Sequence, residues 1–266
     1  MNIAVIGMGE MGLIFSQNIR NAEVYTYLSK KRSLKTKKKV KSSNVKITST
    51  FSELIEKSDM IFSILPCEEA VNVAARVSRE KIIEKKFFIE CNPLSSKKIK
   101  KIKSYFKSTK FSVIDAAIIG PPPIKSVTTL YISGTDTKMI ENLNISNIKI
   151  KNLGKNFGDA SKLKLLFSGI NKGLNALIYQ ILDASLTLKL NNELKREINN
   201  RIPFLSKRLQ NQKPKVMKNA GRYISEMKEI SEELKINGFS GGFHKDASAT
   251  FKYISENVQK SKDKKL

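Results

Sequence analysis

Three glycines placed directly after the first apolar run constrain the fold of this chain more than any other feature. Asn2–Ile6 is a short apolar segment, and Gly7, Gly9 and Gly12 follow it in the sequence Gly-Met-Gly-Glu-Met-Gly. The residues after the third glycine place apolar side chains at helical spacing. A buried strand, a glycine-rich turn and a helix in this order predict the first βαβ unit of a parallel sheet.

The spacing of these glycines predicts a dinucleotide site. In the pattern G-x-G-x-x-G the first glycine permits a tight turn, the second lets the backbone approach a pyrophosphate, and the third allows close helix–strand packing. The N–H groups and positive dipole of the helix N-terminus then face the phosphates. An ordinary strand-to-helix turn is the alternative interpretation. The predicted cofactor-binding residues in this loop are Gly7, Met8, Gly9, Glu10, Met11 and Gly12.

The segment after the second apolar run favours NADP over NAD. Enzymes that use NAD place an acidic residue about 20 residues beyond the glycine loop, where it binds the ribose 2′-hydroxyl. Residues 27–33 read Tyr-Leu-Ser-Lys-Lys-Arg-Ser and contain neither Asp nor Glu. Arg32 suits bidentate binding of a 2′-phosphate, and we predict that Ser29, Lys31 and Ser33 help to bind it. The alternative is that these basic residues only share the composition of the whole chain.

The remaining pattern predicts an α/β fold with an N-terminal Rossmann doubly wound sheet and an all-α C-terminal domain. Strands alternate with helices and are predicted at residues 2–6, 23–28, 45–47, 59–65, 86–91, 111–119, 128–133 and 147–151. From residue 158 onward apolar residues recur at helical spacing, which predicts helices over 159–190, 193–209, 214–236 and 244–258. We therefore predict an NADP-binding domain over residues 1–155 and a helical substrate and dimerisation domain over 156–266.

The formal net charge of +25 raises the question of nucleic-acid binding. Only eight of the 49 Lys and Arg residues are arginine, whereas proteins that read phosphates and bases favour arginine. The lysines are spread along the chain and accompany many isoleucines and asparagines, which is typical of an AT-rich genome. We therefore predict no specific nucleic-acid partner and expect the positive field to attract a small anionic substrate.

The few cysteines and histidines argue against a disulfide scaffold and predict no metal site. Cys67 and Cys91 lack CxxC spacing, and His244 is the only histidine. Each cysteine follows an apolar run, which predicts a buried or cleft-lining thiol. No apolar run approaches the roughly 20 residues that cross a bilayer. The first apolar run leads straight into the glycine loop and does not resemble a signal peptide. We expect a cytoplasmic protein with no membrane partner.

Five short motifs in a fixed order resemble the 6-phosphogluconate dehydrogenase and 3-hydroxyisobutyrate dehydrogenase superfamily. They are the loop G-x-G-x-M-G, the segment Ile64 to Pro66, Glu90-Cys91-Asn92, the segment Asp115 to Gly120, and the segment Gly158 to Lys164. The stretches DAAIIGPPP, GDASKLKLLFSGINKG, RYISEMKEI and GFHKDA are more closely similar to a subgroup, the phosphogluconate-dehydrogenase-like NAD(P)-dependent oxidoreductases. The resemblance runs from Met1 to about Ser255. It implies a Rossmann domain followed by a helical domain, through which two copies form a homodimer.

The same resemblance implies site residues. It places Leu65 and Pro66 at the nicotinamide pocket, Ile119, Gly120 and Pro121 at the substrate, and the catalytic lysine at Lys164. The sequence departs from the family pattern where a substrate would be recognised. Ile119 replaces a serine, Pro121 replaces a glycine, Ser168 replaces an asparagine, and Ala160 replaces the second glycine of the lysine motif. We therefore do not predict 6-phosphogluconate as the substrate.

Four side chains are candidates for catalysis. Lys164 can act as general acid or base when burial lowers its pKa. Ser168 lies one turn further on the same helix face and can bind substrate, or it can bond back to its own helix. Asn92 can orient the nicotinamide or the substrate, or it can be a turn residue before a proline. His244 can complete an acid–base pair or be structural. Glu226 and Glu229 are interpreted as part of a solvated helix face.

Three functions are compatible with these features. The first is an NADP-dependent dehydrogenase or reductase that acts on a small, anionic hydroxy or keto compound. The second is an imine reductase of the same fold, which the positive charge disfavours because an imine substrate arrives as a cation. The third is a non-catalytic protein that senses NADP or binds nucleic acid, because a fold alone does not imply a function.

Overall fold

A computed structural model of the chain describes residues 1–30 and 32–263, with side chains described for 1–30, 32–208 and 216–257. The chain divides into two compact units, Met1–Lys164 and Leu165–Leu266, which we call the sheet unit and the helical unit. The predicted fold class is confirmed. The predicted domain boundary near residue 155 stays a prediction.

The sheet unit alternates strands and helices. Its elements are β1 (Asn2–Ile6), α1 (Glu10–Asn18), β2 (Glu23–Thr26), α2 (Leu34–Lys41), β3 (Lys46–Ile47), α3 (Phe51–Lys57), β4 (Met60–Ser63), α4 (Cys67–Val77), β5 (Lys86–Glu90), α5 (Ser96–Tyr105), β6 (Phe111–Ile119), β7 (Thr128–Ser133), α6 (Lys138–Glu141) and β8 (Ile148–Asn152). The strand order is β3-β2-β1-β4-β5-β6-β7-β8, and each pair is parallel except β6–β7.

From β1 the chain adds β2 and β3 on one side of the sheet and then β4 and β5 on the other. The order of strands therefore reverses between the parallel strands β1 and β4, and their carboxyl ends flank a crevice. Open α/β sheets bind ligands at such a switch point. Alternation along β1 builds a core on each face of the sheet: Ile3 and Val5 join one apolar cluster, whereas Ala4 and Ile6 join the other. Because right-handed crossovers put helices on both faces, α1 and α2 cover the first cluster and α3 to α5 cover the second.

The helical unit departs from the predicted helix boundaries. Helix α7 (Asp159–Thr187) begins in the sheet unit and continues into the helical unit, which also contains α8 (Asn191–Arg201), α9 (Pro203–Ile236) and α10 (Gly242–Asp263). The predicted break before residue 214 is wrong, because α9 is continuous there. The break lies instead before Pro203, whose missing N–H is tolerated at the first position of a helix. Short α6 was not predicted.

The described residues contain neither a helix that could cross a membrane nor a cluster of three His, Cys, Asp or Glu side chains placed to hold a metal. Cys67 and Cys91 are buried and are not joined in a disulfide, as predicted.

Candidate active site

The glycine loop between β1 and α1 is shaped by steric limits at two of its glycines and is open at the third. Gly7 has a φ of 107°, and a Cβ there would lie 2.0 Å from the Ile64 carbonyl oxygen. A Cβ on Gly12 would lie 2.0 Å from the Gly7 carbonyl oxygen. A Cβ on Gly9 would meet no atom within 4 Å, and Gly9 caps α1 without a side-chain hydrogen bond. The loop therefore fits a phosphate at the α1 N-terminus.

The other loop residues differ in what they offer a ligand. The Met8 side chain is buried in the apolar cluster under α1, and Met11 packs against the same cluster. Glu10 is exposed in the first turn of α1. Of the predicted contacts in this loop, those of Met8 are therefore limited to its backbone.

The segment after β2 forms a tight turn that leads into α2. The Arg32 N–H donates to the Ser29 carbonyl at 3.1 Å, and Ser33 caps α2 by accepting from the Thr36 N–H. Lys31 lies outside the described residues. Glu23, the acidic residue of β2, is at the start of that strand and pairs with Lys46. The end of β2 thus presents basic and hydroxyl groups without a carboxylate, an arrangement that fits a 2′-phosphate.

Asn92 joins the carboxyl ends of β4 and β5. Its side chain is 2% exposed, and its Oδ1 accepts from the Leu65 N–H at 2.6 Å. Its Nδ2 donates to the Ser63 hydroxyl at 3.2 Å and to Glu90 Oε1. Pro66 follows at the start of α4, where it is exposed. The Asn92 amide is therefore occupied by protein groups, and direct contact between Asn92 and a ligand stays a prediction.

Lys164 reaches the end of β5 from the second turn of α7. Its Nζ donates to the Cys91 carbonyl at 3.2 Å, and its side chain is half-buried. Burial raises the pKa of the Cys91 thiol well above its ordinary value, so this thiol is uncharged near neutral pH. The amine thus lies at the carboxyl edge of the sheet, the edge that also carries the glycine loop. From the sequence, Lys164 was a candidate only through its resemblance to a family motif. The structure adds that its amine lies beside the Cys91 carbonyl.

The predicted substrate segment ends β6. Gly120 has a φ of 140°, and a Cβ there would lie 2.8 Å from the Thr128 hydroxyl, which donates to the Pro121 carbonyl. Ile119 is half-buried, and the next two residues are exposed. The turn is consequently held by contacts with β7, and its ligand contacts stay predictions.

Ser168 belongs to the helical unit, where it adjoins an ion pair that the sequence did not predict. Lys172 Nζ lies 3.4 Å from the Ser168 hydroxyl, pairs with Glu226, and sits 5.1 Å from the centre of the Tyr223 ring. The interpretation of Glu226 and Glu229 as solvated is wrong, since they are only 5% and 4% exposed. Glu226 faces Lys172 on α7. The spacing Lys164, Ser168, Lys172 was the signal that could have identified this cluster.

His244 lies in the first turn of α10 and packs against α7. A Cβ on Gly169 would lie 3.0 Å from His244 Nε2, and one on Gly173 would lie 2.8 Å from the Phe243 ring. The Nδ1 atom is buried without a hydrogen-bond partner among the described residues. Burial lowers the pKa of His244 below its ordinary value, so the imidazole is neutral at pH 7. Its role in catalysis stays a prediction.

The sheet unit matches a known family. Residues 2–145 match the model of the NAD-binding domain of 6-phosphogluconate dehydrogenase, which covers more than half of the chain. The chain belongs to this family. Its sheet unit is therefore an NAD(P)-binding domain, and the resemblance inferred from the five motifs is confirmed.

Similar proteins extend the likeness over the full chain. An uncharacterized 28.5 kDa protein in the 7S RNA 5′ region of Methanothermus fervidus is 32% identical over 195 residues, 73% of this chain and 74% of that protein. A conserved protein of unknown function, described as structurally similar to 3-hydroxyacid dehydrogenases, has a TM-score of 0.67 at 23% identity and covers 97% of this chain and 98% of its own. The Mycobacterium tuberculosis 3-hydroxyisobutyrate dehydrogenase, solved with L-serine, has a TM-score of 0.71 at 15% identity, with coverage of 97% and 98%. These two structures share the fold, and the family indicates an oxidoreductase.

Proposed function

We propose that this protein is an NADP-dependent oxidoreductase that transfers a hydride to or from a small, anionic hydroxy or keto compound, with Lys164 as general acid or base. The observation that carries the proposal is the position of Lys164 Nζ, 3.2 Å from the Cys91 carbonyl at the end of β5. The glycine loop lies at the same edge of the sheet, and its open Gly9 leaves room for a dinucleotide phosphate.

Different residues of the sheet unit would bind different parts of the dinucleotide. The α1 N-terminus and Gly9 would hold the pyrophosphate, and Arg32 with the hydroxyls of Ser29 and Ser33 would hold the 2′-phosphate. The bound nicotinamide supplies or accepts the hydride. Lys164 takes the proton of a substrate hydroxyl or returns it to a carbonyl oxygen, and its positive charge near that oxygen favours an anionic substrate.

The Lys164→Met variant tests the catalytic part of the proposal. Removing a general acid or base lowers kcat by about 10²- to 10⁴-fold, and we expect NADPH affinity to stay unchanged. Lys162→Met is the matched control, because Lys162 is exposed on the same helix turn and pairs with Asp159 at 3.2 Å. Turnover should be measured with hydroxy acids, keto acids and imines. A Lys164→Met variant with the activity of the wild type would overturn the assignment.

The substrate panel separates the alternative functions. Reduction of imines without turnover of hydroxy or keto acids would make the protein an imine reductase. NADPH binding without turnover of any class would favour an NADP sensor, and salt-resistant binding of DNA or RNA would favour a nucleic-acid function. Failure to bind either NADPH or NADH would sink the proposal as a whole.

We also propose a homodimer through the helical unit. Helix α7 exposes an apolar stripe formed by Leu166, Phe167, Ile170, Leu177 and Ile181, of which Ile170 is 76% exposed. An exposed stripe of five large apolar side chains is typical of a subunit interface. Ile170→Asp should shift the mass measured by light scattering from dimer to monomer, and a wild type that is monomeric would contradict the proposal. The cytoplasmic location stays a prediction.

A further inference from the structure

Two buried acids lie beside each other in the sheet, Glu90 at the carboxyl end of β5 and Asp115 in the middle of β6. Glu90 and Asp115 are partners in the parallel ladder, so their side chains lie on the same face of the sheet. Both side chains are completely buried. Two neighbouring acids in a dry environment rarely share one protonation state, because the second charge would be unfavourable.

The hydrogen bonds of Asp115 are those of a carboxylate. Its Oδ2 accepts from the Ser133 hydroxyl at 2.8 Å and from the Ser161 N–H at 3.0 Å, and its Oδ1 accepts from the Ser161 hydroxyl. Ser161 N–H is one of the N-terminal amides of α7, which have no partner within the helix. A negative charge is favourable at that helix end. Burial raises the pKa of Asp115, and the donations from Ser161 and Ser133 offset only part of the rise.

Glu90 accepts hydrogen bonds from Asn92 on one carboxyl oxygen, and burial is the dominant influence on its pKa. Its Oε1 accepts from both the backbone N–H and the Nδ2 of Asn92. Its Oε2 is buried and has no hydrogen-bond partner among the described residues. Ionising Glu90 would leave charge on this dry, unpartnered oxygen at a high cost, which favours the neutral form. Burial raises the pKa of Glu90 from its ordinary 4.5 to about 8, and the charge of Asp115 adds to the rise.

Each acid is bonded to a different segment of the candidate site. Glu90 orients Asn92, whose Oδ1 accepts from the Leu65 N–H at the β4–α4 junction. Asp115 holds the first turn of α7, and Lys164 follows Ser161 on the same helix face. The two networks meet where the Ser161 hydroxyl lies 3.4 Å from the Asn92 carbonyl.

We propose that Glu90 and Asp115 are positioning residues in opposite protonation states: neutral Glu90 sets the Asn92–Leu65 junction of the dinucleotide crevice, and ionised Asp115 sets the direction of Lys164. The kinetic part of this inference rests on the proposed function of Lys164. The protonation state of Glu90 does not rest on that function, because it can be measured without nucleotide or substrate.

Stability against pH tests the state of Glu90. Its pKa is raised in the folded protein, so its contribution to stability is complete below about pH 4.5 and is lost as the pH rises to about 8. Glu90→Gln keeps the shape of the neutral acid and cannot ionise. The difference in Tm, variant minus wild type, should therefore grow by several degrees between about pH 5 and pH 8 and stay constant above it. The titratable groups coupled to Glu90 are Asp115 on β6 and Cys91, the residue after β5, and both are shared by the wild type and the variant. A Tm difference independent of pH would overturn the assignment.

Ligand binding and turnover test the positioning roles. At pH 7 we expect Glu90→Gln to bind NADPH or NADH within about twofold of the wild type, and Glu90→Ala to bind about tenfold more weakly. Asp115→Asn should keep nucleotide affinity but lower kcat by at least about tenfold, because Lys164 loses its fixed direction. If Asp115→Asn does not fold, Ser161→Ala replaces it and should lower kcat in the same direction. The positioning role of Glu90 would be overturned if Glu90→Gln and Glu90→Ala lost nucleotide affinity equally. That of Asp115 would be overturned if kcat were unchanged in both Asp115→Asn and Ser161→Ala. A wild type without nucleotide binding would end the proposed function, while the Tm measurement would still decide the protonation state of Glu90.

Discussion

The glycine loop after β1 and the Lys172–Glu226 pair of the helical unit are built in opposite ways. In the loop, Gly7 and Gly12 are required because any side chain would overlap a backbone carbonyl oxygen, that of Ile64 after β4 and that of Gly7 respectively. The ion pair joins α7 to α9 over 54 residues of sequence, and both partners are largely buried. The loop can therefore be identified from a motif, whereas the pair can be identified only from the packed helices.

This difference coincides with the two halves of the proposed function. In the proposed function, the loop would bind the part of a dinucleotide that many enzymes share. The helical unit and the β6 turn carry the positions where the chain departs from its family, among them Ile119 and Ser168. A site made of long-range contacts can change its specificity by replacing one partner, whereas a loop limited by backbone clashes tolerates few changes. Four predictions test this contrast.

The largest expected effect is that of Gly12→Ala. Its Cβ would overlap the Gly7 carbonyl oxygen, so we expect a loss of more than about 4 kcal/mol of unfolding free energy and no measurable NADPH binding. Gly9→Ala is the matched control: it meets open space and should keep the Tm of the wild type while weakening NADPH binding. Chemical denaturation and fluorescence titration measure the two quantities. Equal Tm values for both variants would contradict the steric reading of the loop.

Lys172→Met should come next, with a loss of about 3 kcal/mol of unfolding free energy, because it removes one partner of a buried ion pair. The double variant Lys172→Met with Glu226→Leu should recover most of this loss, since an apolar pair of similar volume avoids the desolvation cost. Urea denaturation of the wild type, both single variants and the double variant gives the coupling energy. Additive effects would show that the pair is not coupled.

Arg32→Ala should raise the Kd for NADPH by about tenfold, the effect of removing a charged hydrogen bond to phosphate, and leave the Kd for NADH unchanged. Lys35→Ala, on exposed α2, is the control for a general loss of positive charge. Isothermal titration with both nucleotides measures the ratio. An equal change for NADPH and NADH would remove Arg32 from 2′-phosphate recognition.

The smallest effect is that of His244→Gln. Because burial lowers the pKa of His244, its contribution to stability is present above the ordinary pKa and is lost as the pH falls below it. The Tm advantage of the wild type over the variant should therefore shrink by less than about 2 °C between about pH 7 and pH 5. The kcat should stay within about threefold if the ring only packs against α7. A large loss of kcat would instead restore His244 as part of an acid–base pair.

The sequence by itself determined the glycine loop, the alternation of strands and helices, and the fold class. The alternation follows from the periodicity within each element, and the handedness of crossovers limits how such elements can assemble. The glycine positions are legible because a clash with backbone excludes every other residue type, whatever side chains lie nearby. The absence of an acidic residue after β2 is likewise legible in the sequence. Helix boundaries in the helical unit were harder to predict from sequence. Pro203 begins α9 and a second proline lies within it, yet each proline by itself predicts a helix break.

Only the tertiary structure decided the state of the polar groups. Glu90, Asn92 and Asp115 look like ordinary residues in or just after strands, yet packing buries them and gives each a different set of donors and acceptors. Glu226 looked solvated and is buried beside Lys172. The protonation and orientation of a buried group depend on which partners remain once water is excluded, and those partners lie far away in the chain.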